Sequence, residues 1–234
     1  GAGGRRRSAG CGEALRRLLN MRGALFALAL IAAPAEAAGD FAYTQRVGAG
    51  ETVIDSRPLV DCKRASLPGA RCLPAEEFLG PQRRLPSERD ILWLLGTAGL
   101  AGSETALVVG QDATARDFVA GLLYLAGQKS VHILSGTMPR LDSRAEGGRE
   151  RGMVRSAVWT VPMRDSLWVL GADIVRDKPT LVDADAPKPT AANGVVIADD
   201  AYQAIARFTQ LRAGQGIAVR VHPGSLALAT GRAR

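Results

Sequence analysis

Thiol and imidazole chemistry in this chain has five carriers: Cys11, Cys62, Cys72, His132 and His222. No C-x-x-C is present and the two histidines are scattered, so the usual zinc spacings are missing. Neither histidine has a Ser or Cys and an acid at a spacing that marks a triad, so neither reads as catalytic. No structural metal and no cofactor are expected. A different chemistry is suggested by Gly110-Gln111-Asp112-Ala113-Thr114-Ala115-Arg116, which lies between an apolar run and an amphipathic segment. A loop ending at a helix N-terminus presents backbone N–H groups and the positive end of the helix dipole, which suits an anion. Arg116 adds positive charge there, while Asp112 and Asp117 oppose an anion. The same arginine also has Asp112, Asp117 and Asp55 as alternative ion-pair partners.

The elements around that loop alternate strand and helix. Thr52-Val53-Ile54-Asp55 follows the turn-prone Gly48-Ala49-Gly50 and reads as a buried strand. Ser87 caps a helix whose apolar positions Ile91, Leu94, Leu95 and Ala98 recur at helical spacing, with Asp90 completing a capping box and Gly99 ending it. Thr105 to Val109 is a second strand. After the loop comes a helix with the face Phe118, Val119, Leu122, Leu123 and Ala126, stopped by Gly127 before the strand Val131 to Leu134. Strands separated by helices predict a parallel sheet covered on both faces.

Composition excludes several classes. The chain has 234 residues, 47% of them hydrophobic, enough to bury a sizeable core. Its net charge of +7 is concentrated at the start: six arginines and two acids precede residue 38, and the remainder carries 24 basic and 21 acidic groups. With Phe 5, Tyr 3 and Trp 3, no aromatic run interleaves with Lys and Arg, so a nucleic-acid partner is not expected. Residues 1–20, rich in glycine and arginine, read as a basic or non-native extension. Met21-Arg22, the apolar run Gly23 to Pro34 and Ala35-Glu36-Ala37 read as a signal peptide over 21–37, cleaved after Ala37. The run is too short to span a bilayer, so no stable membrane span is expected after cleavage, and the mature protein is expected to be periplasmic or secreted.

Val53-Ile54-Asp55-Ser56-Arg57, followed by Leu67-Pro68-Gly69-Ala70-Arg71-Cys72-Leu73-Pro74, resembles a rhodanese domain. The order continues through a helix, the strand Ala106 to Val109, a six-residue loop, a helix ending Tyr124-Leu125-Ala126-Gly127, and Val131-His132-Ile133-Leu134-Ser135-Gly136. The resemblance covers residues 41–141. It implies an α/β fold with a rhodanese-like parallel sheet and helices on both faces, and a structural role for Asp55, Arg57, Pro68 and Gly69. Active members of that family place a catalytic cysteine first in the loop, where this chain has Gln111. An amide is no sulfur nucleophile, and neither Gly110 nor Asp112 supplies one if the register moves. What survives is the candidate anion cradle Gln111, Asp112, Ala113, Thr114, Ala115 and Arg116. Cys62 and Cys72 are open to three readings: a disulfide in an oxidising compartment, two unpaired buried residues, or a thiol relay through Cys72.

Asp142 to Arg155 is charged and glycine-bearing and reads as a surface linker. Beyond it, residues 156–234 look like a degenerate partial repeat, a smaller incomplete α/β unit. Lys178 to Asp185 echoes Gly50 to Arg57, Gly194 to Tyr202 echoes Gly69 to Phe78, and a helix over Ala204 to Leu211 leads to the strand Ile217 to Val221. In that register the loop after Val221 begins His222-Pro223-Gly224. The expected function is an exported, catalytically inactive rhodanese-like protein that binds an unknown protein partner or a small anion. The alternative is a periplasmic sulfurtransferase or sulfur carrier acting through Cys72 or Cys62. A third class is an assembly module contacting partners through exposed Trp159 or Trp168.

Overall fold

The computed structural model describes residues 1, 40–136, 138, 145–186 and 193–225. Cys11, the basic extension and the signal-peptide segment lie outside the described residues.

A five-stranded parallel sheet forms the first half: β1 (Phe41–Thr44), β2 (Thr52–Asp55), β3 (Arg71–Cys72), β4 (Thr105–Val109) and β5 (Ser130–Leu134), in the order β1-β5-β4-β2-β3. Alternation along the strands splits their side chains between two apolar layers. Ile54, Ala106, Val108, Val131 and Ile133 join the main core. Val53, Leu107, Val109 and Leu134 pack on the other face with Ala70. The sheet is flanked by helices α1 (Leu59–Arg64), α2 (Glu88–Thr97) and α3 (Ala113–Leu125). Helix α2 starts as its sequence dictates, with Ser87 Oγ accepting the Asp90 N–H at 3.3 Å and donating to the Asp90 carboxylate at 2.7 Å. Helix α3 starts earlier than expected. Asp112 accepts the Ala115 N–H at 2.9 Å and caps it, so Ala113 to Arg116 form its first turn and are not loop. No glycine or proline interrupts those four residues, and they have ordinary helix-forming types.

The second sheet contains β6 (Leu181–Asp183), β7 (Val195–Ala198) and β8 (Arg220–Ser225), parallel and in the order β6-β7-β8. Trp168 bridges Val221 in parallel, and the Val169 N–H donates to the Val221 carbonyl at 3.0 Å. From that stretch inward, 168–169, β8, β7 and β6 have the neighbour order of β1, β5, β4 and β2. The expected register for this half is therefore corrected. Val195 to Ala198 pairs on both sides and holds the place of β4, whereas the matching to residues 69–78 put it in the place of edge strand β3. His222, Pro223 and Gly224 lie inside β8, not in a loop. The unit is also short in its middle: eleven residues separate β6 from β7, whereas the forty-nine between β2 and β4 carry α1, β3 and α2.

Helices α4 (Gly171–Asp177) and α5 (Ala201–Thr209) complete this half, and α5 packs on α3. The pairs Phe118–Tyr202, Gly121–Ile205 and Tyr124–Phe208 share one sequence offset, so the two helices run in the same direction in register. Gly121 permits the approach, because a Cβ there would lie 2.7 Å from Ile205 Cγ2. Both helix N-termini, and the carboxyl ends of both sheets, therefore open toward the same side.

The segment expected as a surface linker is on the surface but fastened. Gly148 N–H donates to Cys62 O at 2.9 Å, Arg149 N–H to Ala70 O at 2.8 Å, and Cys72 N–H to Arg149 O at 2.9 Å. These bonds set Arg149 beside β3 at the sheet edge and Gly148 against α1, while the Ser66 N–H donates to Glu146 O at 2.7 Å. Farther on, the N–H groups of Gly152, Ser156 and Ala157 donate to Thr97 O or Gly96 O, and that of Arg164 to Leu125 O. Those carbonyls end α2 and α3 and have no partner within their own helices. Trp159 adds its indole N–H to Ala126 O at 3.1 Å. Trp159 and Trp168 are thus partly buried, contrary to the expectation that they are exposed; Trp93 is the exposed tryptophan.

Candidate functional site

At the carboxyl end of β4, Gly110 passes so close to Ser56 that a Cβ would collide with its Oγ, and Gln111 and Asp112 follow, exposed. The Asp112 carboxylate already occupies the α3 N-terminus as its cap. Arg116 turns away from the loop. It is buried, its Nε and Nη2 donate to Asp117 Oδ1 at 3.2 and 3.0 Å, and its guanidinium lies 5.8 Å from the Tyr43 ring centroid. Gln210, from the turn after α5, donates to the other Asp117 oxygen at 3.2 Å. Burial raises the Asp117 carboxyl above the usual range despite Arg116, and burial beside Asp117 raises the Tyr43 phenol. The six residues of the expected anion cradle are therefore not assembled around an empty space. Four are helix, one carboxylate fills the helix start, and the arginine is engaged in the core.

Asp55 and Arg57 form a structural pair. Arg57 Nη2 donates to Asp55 Oδ2 at 2.6 Å and to Ala65 O at 2.6 Å, and Ser66 Oγ donates to the same carboxylate at 2.6 Å. The hydrogen bonds to Asp55 raise the Arg57 guanidinium still further. With Asp55 fully buried, this network fixes the chain after β2. Pro68 and Gly69 make the turn that returns to β3: Gly69 has φ of +70° and the Ala70 N–H donates to Leu67 O at 3.0 Å, a type II arrangement that requires glycine at its third position.

Cys62 and Cys72 are joined as a disulfide, both fully buried, with Cα atoms 5.8 Å apart. Of the three open readings the structure takes the pairing, so neither sulfur is a thiolate. Gly148 lies against the bridge.

His132 has partners that spacing did not reveal. Its Nδ1 meets Glu51 Oε1, 81 residues upstream, and its Nε2 lies 3.5 Å from Ser130 Oγ. The sequence shows no triad spacing around His132, and the structure sets Glu51 and Ser130 beside its two ring nitrogens, at the opposite end of the sheet from Gln111. His222 is buried in β8, with Nδ1 on the Val169 carbonyl at 2.7 Å.

A cavity of about 760 Å3 opens at the carboxyl end of the second sheet. Asp199 and Asp200 follow β7 as Gln111 and Asp112 follow β4, and Asp200 caps α5 by accepting the Gln203 N–H at 2.8 Å. Trp168 and Gly224 form part of one wall, and Gln82 to Leu85 with Ile91 form another. Sequence reading missed this site because the repeat was matched in another register. The available signal was Asp-Ala at 112–113 and 200–201, followed by Ala-Gly-Gln at 126–128 and 213–215. Among the described residues no group of three or more His, Cys, Asp or Glu is placed to hold a metal, and no helix is long and apolar enough to cross a membrane.

No protein-family model matches the sequence, and no curated protein matches it. Solved structures are similar. A probable thiosulfate sulfurtransferase superposes with a TM-score of 0.54 at 18% identity, over 80% of this chain and 97% of its own. YnjE gives a TM-score of 0.57 at 17% identity, over 76% of this chain and 60% of its own. The 3-mercaptopyruvate sulfotransferase SseA from Escherichia coli gives 0.60 at 12% identity, over 76% of this chain and 93% of its own. At such identities the likeness speaks to architecture, and with the parallel order β1-β5-β4-β2-β3 it establishes that this chain carries the rhodanese fold.

Proposed function

We propose that this is an exported rhodanese-fold protein that binds a ligand or partner and does not transfer sulfur. One observation carries the reading. The residue after the β4 turn is Gln111, and the cysteines among the described residues, Cys62 and Cys72, are locked in a buried disulfide. Sulfur transfer by this fold needs a thiolate that attacks and releases a sulfur atom, and no such group stands at either sheet's carboxyl end among the described residues. Export accords with the segment 21–37 and with a disulfide, which persists in oxidising compartments. Residues 168–225 are read as a second, reduced copy of the same fold, supported by the shared neighbour order and by the matching caps Asp112 and Asp200.

The test is intact mass of the full purified chain under non-reducing conditions, before and after thiosulfate or 3-mercaptopyruvate, with a Cys62→Ser, Cys72→Ser variant alongside. The expected result is no sulfur gain, and a wild-type mass two hydrogens below that of the reduced chain. A one-sulfur gain overturns the reading; if the variant loses that gain, the protein is a sulfurtransferase or carrier through a displaced cysteine.

A further inference from the structure

We propose that the cavity at the carboxyl end of the second sheet binds a small organic cation, an amine or guanidine carried on an apolar body. The assignment deepens the binding role proposed above and rests on it. The position is one where parallel α/β sheets hold ligands, outside the strand ends, and about 760 Å3 lies within the usual range for small-molecule sites.

The walls set the sign of the ligand. Five carboxylates line the cavity, Glu88, Asp165, Asp173, Asp199 and Asp200, against two arginines, Arg83 and Arg84. Asp200 faces Arg83 at 3.9 Å, and Asp173 pairs with Arg176 at 2.9 Å. Glu88, Asp165 and Asp199 have no ion-pair partner among the described residues, and Arg84 is the one lining cation without one. The balance is negative. An anion would also find the α5 N-terminus taken, because Asp200 already accepts its Gln203 N–H. Among the described residues no three of these carboxylates are placed for a metal, which favours an extended cation with several N–H donors over a metal ion.

The lining also carries apolar side chains, Leu85, Ile91, Met163 and Trp168, with the exposed Leu170. A lining that combines an aromatic side chain with unpaired carboxylates suits a cation with an apolar body. A separate observation points to an occupant. Four buried side-chain polar atoms among the described residues have no partner, and one of them, the indole nitrogen of Trp168, belongs to a residue that lines this cavity. His222, nine-tenths buried and not itself a lining residue, packs against lining residue Gly224, where a Cβ would come within 2.7 Å of its Nε2. Its Nδ1 faces Val169 O at 2.7 Å, and its Nε2 has no partner among the described residues.

The experiment is calorimetric titration of the full chain with 2-phenylethylamine, protonated at pH 7, and with phenylguanidine, against 3-phenylpropionate as the charge-reversed control. Saturable binding of a cation in the millimolar range or tighter is expected, with none of the acid. Asp199→Asn weakens it about threefold and Asp199→Lys further, both at an exposed position that leaves the fold intact by circular dichroism. Equal or tighter binding of 3-phenylpropionate, insensitivity to both Asp199 variants, or no binding of either cation overturns the assignment. None of these outcomes alters the mass measurement, so failure of this site and failure of the non-transferring reading remain distinct.

Discussion

Gly148 rests directly on the disulfide half Cys62: its N–H donates to Cys62 O at 2.9 Å, and a Cβ built on it would come within 2.7 Å of Cys72 Sγ and closer still to Cys62 Sγ. The backbone of the strap is thus the lid over the sulfur bridge. Gly148→Ala must push the strap, including Arg149 beside β3, outward or distort the buried sulfurs. A loss of about 1–3 kcal/mol is expected from such overpacking. Urea unfolding measures it, and hydrogen exchange at Cys72 N–H, which donates to Arg149 O, is expected to rise in parallel.

Removing the bridge tests the same region from below. Cys62→Ser with Cys72→Ser is expected to lower stability by about 2–3 kcal/mol, the usual effect of opening a short loop. Dithiothreitol is expected to shift the wild-type urea midpoint toward that of the double variant and to leave the double variant where it is.

Restoring a cysteine at the loop-first position is expected not to restore chemistry. In Gln111→Cys the new thiol stands beside the Asp112 carboxylate, which holds the helix start, and Arg116 points away into its pair with Asp117. Nothing present lowers the thiol below its ordinary value of about 8.5. Thiocyanate formation from thiosulfate and cyanide is expected to stay at background, and alkylation rates against pH are expected to report an unshifted thiol. A strongly depressed thiol pKa would show that the loop amides remain an anion site.

Asp117 gives the protein a pH signature. Burial raises its carboxyl in the folded state above the unfolded value near 3.9. A raised folded pKa contributes stability that is full below the unfolded value and is lost as pH rises through the folded one. The stability difference between wild type and Asp117→Asn is therefore expected to change between about pH 4 and the raised titration point, and to be flat above it. Because burial outweighs the attraction of Arg116, the wild type is expected to lose stability relative to Asp117→Asn across that window, so the substitution costs less at neutral pH than near pH 4, as urea unfolding at the two pH values measures.

The parts of the fold legible in the sequence are those specified by neighbours in the chain. Val53, Ile54 and Val108 announce buried strands by their types, and Ser87 with Asp90 announces a helix start three residues apart. Pro68-Gly69 announces its turn, and the absence of sulfur at position 111 is plain. What was not legible is fixed by distant groups. Arg116 is drawn off the loop by a pair that Gln210 completes from 93 residues beyond Asp117. His132 finds Glu51 across 81 residues. The second half was matched one strand out of place, because one βα unit resembles another until its hydrogen-bonded neighbours are known: β7 reveals itself as a central strand only through pairing with both β6 and β8. The charged stretch after residue 142 reads as a linker because many of its attachments are made by backbone groups, which carry no mark in side-chain composition, and its ion pairs, Glu150 with Lys63 and Arg151 with Glu77, join residues more than seventy positions apart.

Those attachments decide where the molecule divides. A piece ending near residue 141, where the charged stretch begins, would leave β3 with a bare edge and the last carbonyls of α2 and α3 open to competing donors. The same piece extended through Arg164 would carry its own caps, edge cover and bridge lid. The residues from 145 to Arg164 are thus the final part of the first half, and the step to Asp165 is no clean seam either, because the face of α3 that meets Tyr202, Ile205 and Phe208 would be bared by a cut there.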